Sequence, residues 1–492
     1  MSFSSISDLV ETIQAMTISP LRNLAREFGI TPSTKKREQL EKEILGVFDG
    51  SIIPQAPSKR GRKPLNIGSP TDIGSDINAK ISSPEPIIAD NCNNSSAEDI
   101  QFCDNANNIC NAKQEEQNDI IARGILEIMP EGYGFLRTNN FSVTPNKDVY
   151  VPATQIKRFG LCTGDEIECK ARLFNERSAP SVIYIFKING DSCENIIRRP
   201  AFDSLVPCHP TERIALETTK TEFALRAIDL VAPIGKGQRG LIVAPPKAGK
   251  TILLKKIALA VRQNHPGIHL TILLIDERPE EVTDFKESVD CDVVYSTFDQ
   301  SPMHHIRIAD MVIRNAKRRV EQGQDVMILL DSITRLGRAY NQTAETSGRT
   351  LTGGLDISAL QEPKRFFGAG RNIIGKGSLT ILATALIDTG SRMDDIIYEE
   401  FKGTGNMEIH LDRSLSEKRI FPAIDLNRSG TRREELLMSQ KQLEGMYLIR
   451  KTLSREDKDV ATEQLLDMLT YTNTNDEFMD LLKLSLQKTH KY

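Results

Sequence analysis

The run Gly240-Leu241-Ile242-Val243-Ala244-Pro245-Pro246-Lys247-Ala248-Gly249-Lys250-Thr251 leaves little freedom about what must surround it. Leu241 to Val243 reads as a short buried strand, and Ile252 to Val261 carries the apolar spacing of an amphipathic helix. A small-residue loop between them ends in Gly249-Lys250-Thr251. Strand, loop and helix in that order build a triphosphate cradle. Loop and helix N–H groups point at phosphate oxygens, Lys250 adds a point charge, and Thr251 offers a hydroxyl to Mg²⁺. The general pattern is G-x-x-x-x-G-K-[ST], and Ala244 stands in place of its first glycine. A plain strand-to-helix turn would give Lys250 and Thr251 no task. The chain reads as nucleotide-binding.

A chain of 492 residues is too long for one core, so it should divide into domains. Residues 1–50 show helical periodicity and are expected to form a small module. Residues 51–119 are rich in Asn, Ser, Pro and acidic residues and cannot bury enough surface to order, so a disordered tract is expected. Inside it, Lys59-Arg60-Gly61-Arg62-Lys63 is either a solubilising cluster or a nucleic-acid backbone contact. Residues 120–195 hold five short strand patterns, Gly124–Ile128, Gly132–Arg137, Asp148–Val151, Glu166–Leu173 and Val182–Ile188, which fit an OB-type barrel. A connector over 196–231 leads to alternating strands and helices over 232–492, the pattern of a parallel α/β sheet with helical segments at its end.

The formal net charge of −4 is ordinary, so any nucleic-acid contact must come from local patches. No leader pattern and no bilayer-length apolar run are visible, which argues against a membrane. Eight cysteines without C-x-x-C spacing argue against a zinc site or a disulfide framework and for a reducing cytoplasm.

Hydrolysis of a bound triphosphate needs a metal anchor, a group that orients water, and positive charge for the transition state. Val326-Met327-Ile328-Leu329-Leu330-Asp331 is an apolar strand ending in a carboxylate, which the topology would set beside the phosphate loop to hold Mg²⁺. Leu273-Leu274-Ile275-Asp276-Glu277-Arg278 ends at the same edge, where Glu277 would polarise the attacking water and Arg278 would bridge phosphate or carboxylate. As a solvated loop it would carry no chemistry. Ser429-Gly430-Thr431-Arg432 reads as a tight turn entering a helix over Arg433–Thr452, with Arg432 available to a neighbouring subunit.

Two loops, Ser347–Asp356 and Asp388–Met393, offer N–H, hydroxyl and cationic donors without bulk, which suits a sliding sugar–phosphate backbone. In the barrel, alternation puts Tyr133, Phe135 and Arg137 on one strand face, with Tyr150 on a neighbouring strand. Exposed, these rings would stack on bases; buried, they would be core aromatics of a small barrel.

Together these residues resemble the Rho family of transcription termination factors. The matching runs are Gly132-Tyr133-Gly134-Phe135-Leu136-Arg137, Pro233–Gly240, Ala244–Thr251, Ile275–Glu281, Leu330–Arg335 and Tyr398–Gly405. The resemblance implies a RecA-like P-loop ATPase domain behind the barrel, in a homohexameric, RNA-dependent ATPase and 5′-to-3′ RNA/DNA helicase. It implies Mg²⁺ with ATP, single-stranded RNA and the transcribing RNA polymerase as partners. It places ATP against Gly235-Lys236-Gly237-Gln238-Arg239-Gly240, Lys247-Ala248-Gly249-Lys250-Thr251-Ile252 and Arg278, with Phe421 on adenine, Glu277 as catalytic base and Arg432 as arginine finger. A primary RNA site is implied at Gly132–Arg137 and Asp148-Val149-Tyr150. A secondary one is implied at Thr350-Leu351-Thr352-Gly353-Gly354-Leu355-Asp356 and Arg392. Two departures stand out. The family's Glu-x-Tyr, which completes a pyrimidine pocket, is matched here by Pro180-Ser181-Val182, and the 51–119 tract is additional to the minimal plan.

The rivals are a rotary or secretion-type RecA-like motor, which has no use for an aromatic barrel, and an RNA-binding module that holds ATP without hydrolysing it. Lys250, Glu277, Asp331 and Arg432 argue against the second.

Overall fold

The computed structural model describes Ile44 and residues 119–492, apart from 139, 145–146, 174–178, 194–198, 346–349, 352, 357, 454–455 and 490–492. The expectations for residues 1–50 and 51–119 fall outside the described residues, Ile44 and Asp119 excepted. The chain separates into two compact units, Met1–Asp99 and Ile100–Tyr492, and every strand and helix from Asp119 onward belongs to the second.

Five strands wrap into a closed barrel: β1 (Asp119–Ile128), β2 (Gly134–Arg137), β3 (Val149–Val151), β4 (Glu166–Arg172) and β5 (Ser181–Ile188). Their order is β3-β2-β1-β4-β5, and β3 pairs with β5 at Tyr150 and Ser181 to close it. Alternation sends Leu126, Leu136, Val149, Val151, Ile167, Cys169 and Ile185 inward to fill the core. A short helix, Ala153–Phe159, adds Ile156 to that core and stops at Gly160, whose φ of 59° only a glycine adopts freely.

The larger sheet is built from near-continuous apolar strands, as a sheet covered on both faces requires. Its main path is β8 (Asp292–Thr297), β7 (His269–Glu277), β9 (Val326–Asp331), β10 (Ser378–Leu386), β6 (Arg239–Ala244), β11 (Met407–His410) and β12 (Gly430–Thr431). All neighbours are parallel except β11 and β12. Ile242 on β6, Ile272 and Leu274 on β7, and Leu329 on β9 point to one face, where α1 (Phe223–Val231), α2 (Lys250–Asn264) and the three C-terminal helices pack. Leu241, Val243, Leu273, Ile328 and Ile381 point to the other, against α4 (Pro302–Glu321), α5 (Ile333–Thr343) and α6 (Arg392–Lys402). Helix α4 starts where Ser301 accepts the His304 N–H and Pro302 opens the first turn.

The barrel rests on α4. Arg307 pairs with Glu127 at 2.6 Å, Arg319 pairs with Glu166 at 2.7 Å, and the Asn315 amide donates to the Gly164 carbonyl at 2.9 Å. Gly164 has φ +98°, and a Cβ there would lie 2.6 Å from the Arg314 carbonyl carbon, so close approach and backbone shape both demand glycine.

Candidate nucleotide site and RNA-facing surfaces

The carboxyl ends of β6, β7 and β9 converge on one edge of the sheet, where ligands of open α/β folds bind. The loop after β6 takes left-handed backbone at Lys247 (φ 66°) and Gly249 (φ 88°) just ahead of α2, the conformation of anion-binding backbone turns. Lys250 Nζ lies 2.5 Å from Asp331 Oδ1 and 3.5 Å from Glu277 Oε2. Thr384 of β10 donates its hydroxyl to the same Asp331 oxygen at 2.7 Å. Glu277 is 2% exposed, and burial pushes its carboxyl above the usual range; Lys250 pulls it down and Asp331 pushes it further up. Arg335, on α5, approaches Asp276 and Glu277 at 3.6 and 3.7 Å.

The oxygens offered to a metal are hard ones. Asp331 Oδ2 is buried with no hydrogen-bond partner, and the Thr251 hydroxyl, which donates to Glu281 at 3.2 Å, sits at the start of α2. No group of three or more His, Cys, Asp or Glu side chains among the described residues could cage a metal alone. The Asp331 and Thr251 oxygens suit Mg²⁺, which binds through one or two protein oxygens plus phosphates and water.

Beside the cradle is an apolar cleft of about 230 Å³, lined by Phe223, Gly249, Ile252, Lys256, Phe421 and Pro422 among others. Phe421 is 50% exposed, so its ring is available to a flat ligand. Arg278 is exposed at the N-cap of α3 (Pro279–Ser288) and opens on a separate cleft of about 780 Å³, shared with Asp276, Arg335 and Arg338.

Gly235 to Gly240 are not brought to this edge. They precede or open β6, so they lie at the opposite end of the sheet. Lys236 is held by Glu212 and by Asp325 at 2.9 Å, and Gln238 is buried against Asn406 at 2.7 Å. Within one subunit they lie away from the Lys247–Ile252 loop, because adjacency in sequence does not tell the two ends of a strand apart. Arg432 lies at this far edge too. It follows the edge strand β12 rather than a turn entering a helix, and its N–H donates to the Asn406 carbonyl at 2.8 Å. Arg433 then leads into a single 3-10 turn, and the helix begins at Gln440, not Arg433.

On the barrel, Tyr133, Phe135 and Tyr150 form a half-buried cluster with ring centroids 5.6 to 5.9 Å apart. Arg137, which alternation places on the same face as Tyr133 and Phe135, is tied down beneath them. It is 5% exposed, with its guanidinium 5.3 Å from the Phe135 centroid and 2.6 Å from both Glu127 and Asp148. Leu136 and Val149 face the barrel core, so the surface part of the expected primary site is the three rings.

Thr350–Leu351 pairs with Leu355–Asp356 in a hairpin turned by Gly353 and Gly354, while Thr352 lies outside the described residues. A Cβ on Gly353 would come within 3.1 Å of the Met393 N, so the hairpin tip abuts the start of α6, where Arg392 is exposed. The two loops picked from composition are therefore neighbours.

Residues 122–194 match the Rho termination factor RNA-binding domain, and residues 224–431 match the nucleotide-binding domain of the ATP synthase alpha/beta family. Transcription termination factor Rho of Aquifex aeolicus is 54% identical over 378 residues, spanning 75% of this chain and 86% of that protein. Rho of Allochromatium vinosum is 54% identical over 380 residues, spanning 76% and 91%. Rho of Bacillus subtilis is 53% identical over 377 residues, spanning 76% and 87%. The chain belongs to the Rho family of transcription termination factors.

Within that Rho frame, sequence reasoning passed over several residues that the fold brings to the site. Arg335 approaches Glu277 at 3.7 Å, Thr384 donates to Asp331, and Phe223 and Lys256 line the apolar cleft. Arg335 closes the Leu330–Arg335 run and could have been found from its place one turn into the helix after Asp331. Phe223 and Lys256 carry no local signal. Where the Rho pocket has its Glu-x-Tyr, Val182 is buried in the barrel core here. Among the described residues no helix is long and apolar enough to cross a membrane.

Proposed function

We propose that this Rho-family chain is an ATP-dependent, RNA-binding transcription termination factor that works in the cytoplasm as a homohexamer. Single-stranded RNA enters on Tyr133, Phe135 and Tyr150 of the barrel. ATP occupies the Lys247–Ile252 cradle with adenine against Phe421, and hydrolysis drives 5′-to-3′ movement along RNA held by the hairpin tip and Arg392. The outcome is removal of the transcript from RNA polymerase. The observation that carries this reading is the coexistence, on one packed unit, of an aromatic barrel face and a Lys250–Glu277–Asp331 constellation.

In the reaction, Lys250 leaves its carboxylates for the phosphates, which frees Glu277 to accept a proton from the attacking water. Thr251 and Asp331 would hold Mg²⁺, which supplies charge neutralisation at the β- and γ-phosphates. Thr384 keeps Asp331 oriented, and Arg335 steadies Glu277. Arg432, at the far edge of the sheet, serves the site of a neighbouring subunit. Gly235–Gly240 share that edge and belong to the same intersubunit surface.

ATP turnover measured with poly-C, poly-U and no RNA tests the proposal: it requires a rate that rises sharply with RNA. In Tyr133→Ala the concentration of RNA needed for half-stimulation rises about tenfold, the loss of one stacked base, while RNA-independent turnover is unchanged. Equal turnover with and without RNA would overturn the functional reading, and an unaltered half-stimulating concentration would remove the platform.

A further inference from the structure

The fifth barrel strand breaks the alternation of its neighbours. Register shifts fall between Glu168 and Cys169 and between Lys170 and Ala171 of β4, so that Tyr184 sits opposite Lys170 and Lys187 opposite Glu168. Ile183 and Phe186 are the extra residues of two β-bulges. A bulge adds a side chain to one face and re-aims it. Here both additions go outward, Ile183 at 38% and Phe186 at 40% exposure, and Tyr184 between them is 60% exposed. The Tyr184 and Phe186 rings meet edge to face at 5.3 Å and 66°. A single surface aromatic needs no explanation, but a neighbouring exposed pair on a bulged strand does.

Two features point to the occupant. The first is continuity: β5 is hydrogen-bonded to β3, with the Tyr150 N–H donating to the Pro180 carbonyl at 2.7 Å and Tyr150 registered on Ser181. Tyr184 is three residues further along, about 10 Å of strand rise from the edge of the ring cluster. The second is charge. Lys170 and Lys187 border the pair with half-exposed side chains, paired to Asp119 at 2.7 Å and to Glu168 at 3.6 Å respectively. Flat rings bordered by cations are what successive bases and their phosphates require.

We infer that Tyr184 and Phe186 form a second stacking subsite for single-stranded RNA, which carries the strand from Tyr150 across β5. The inference rests on the reading of the Tyr133 cluster as the first subsite. It also accounts for the lost pocket: the ring absent at Val182 is supplied two and four residues later, on the outside of the strand.

The test uses the full chain and cytidine oligonucleotides of two lengths. In the Tyr184→Ala/Phe186→Ala double variant, affinity for a hexanucleotide falls roughly tenfold with an unchanged salt dependence, while affinity for a dinucleotide is retained. An unchanged hexanucleotide affinity overturns the inference. Tyr133→Ala, measured alongside, loses affinity for both lengths; a variant that loses neither defeats the first subsite and leaves the double variant's result to stand by itself. The chain has no tryptophan, so Tyr184→Trp gives a lone reporter at the patch. Stacking makes the hexanucleotide quench it. Absence of quenching, as when the patch serves another protein instead, also overturns the subsite.

Discussion

Lys250→Ala abolishes steady-state ATP hydrolysis, with turnover down by roughly 10³-fold or more. The lysine has two tasks in this structure, and the variant loses both. It is the cation that would face the transferred phosphate, and it is also the counterion that separates two buried carboxylates, Glu277 and Asp331. Burial and Asp331 already hold Glu277 above the usual carboxylate range, with Lys250 among the groups that oppose them. Without Lys250 the Glu277 carboxyl titrates higher still. The sign of the consequence follows from linkage: a carboxyl whose pKa is raised in the folded state binds more protons there than in the unfolded chain, so stability falls as pH rises through its range. The variant is therefore less stable than the parent by a margin that widens as pH rises above the ordinary carboxylate range. Turnover and thermal unfolding check the two tasks separately. Normal turnover sinks the cradle assignment, and a stability gap independent of pH sinks the counterion account.

The parts of this architecture legible in sequence are those with a local pattern. The β6 loop is bounded by a strand and a helix of different apolar period, and Asp331 and Glu277 each end an apolar run, so the fold could set them on one edge. Other features depend on partners far away in the chain. Arg137 keeps the period-two position beside Tyr133 and Phe135, yet Glu127, ten residues earlier, and Asp148 bind its guanidinium. Gly235–Gly240 abut the phosphate loop in sequence and are a strand's length away in space. Alternation also cannot foresee bulges, because an inserted residue changes the face of everything beside it. Tyr184 and Phe186 were invisible for that reason.

The far-edge position of Arg432 gives the second large effect. Its N–H bonds Asn406, which in turn donates to the Arg239 carbonyl at the start of β6. Ala244, where the phosphate loop begins, lies five residues along that strand, about 16 Å away by strand rise. An arginine at one end of the strand cannot neutralise a phosphate held past the other end, whereas a head-to-tail ring brings one subunit's far edge to the next subunit's cradle. Arg432→Ala alone should then lower turnover by roughly 10³-fold, within the range expected for an arginine finger. The sharper measurement mixes it with Lys250→Ala. Each variant is inactive by itself, but in a randomly mixed ring roughly one interface in four pairs an intact Lys250 with a neighbour's intact Arg432. Single-turnover hydrolysis by the mixture should therefore reappear at those interfaces, without requiring the ring to cycle. If both residues acted within one subunit, no mixture of the two could hydrolyse ATP, and a mixture that stays silent would return Arg432 to a structural role at the sheet edge.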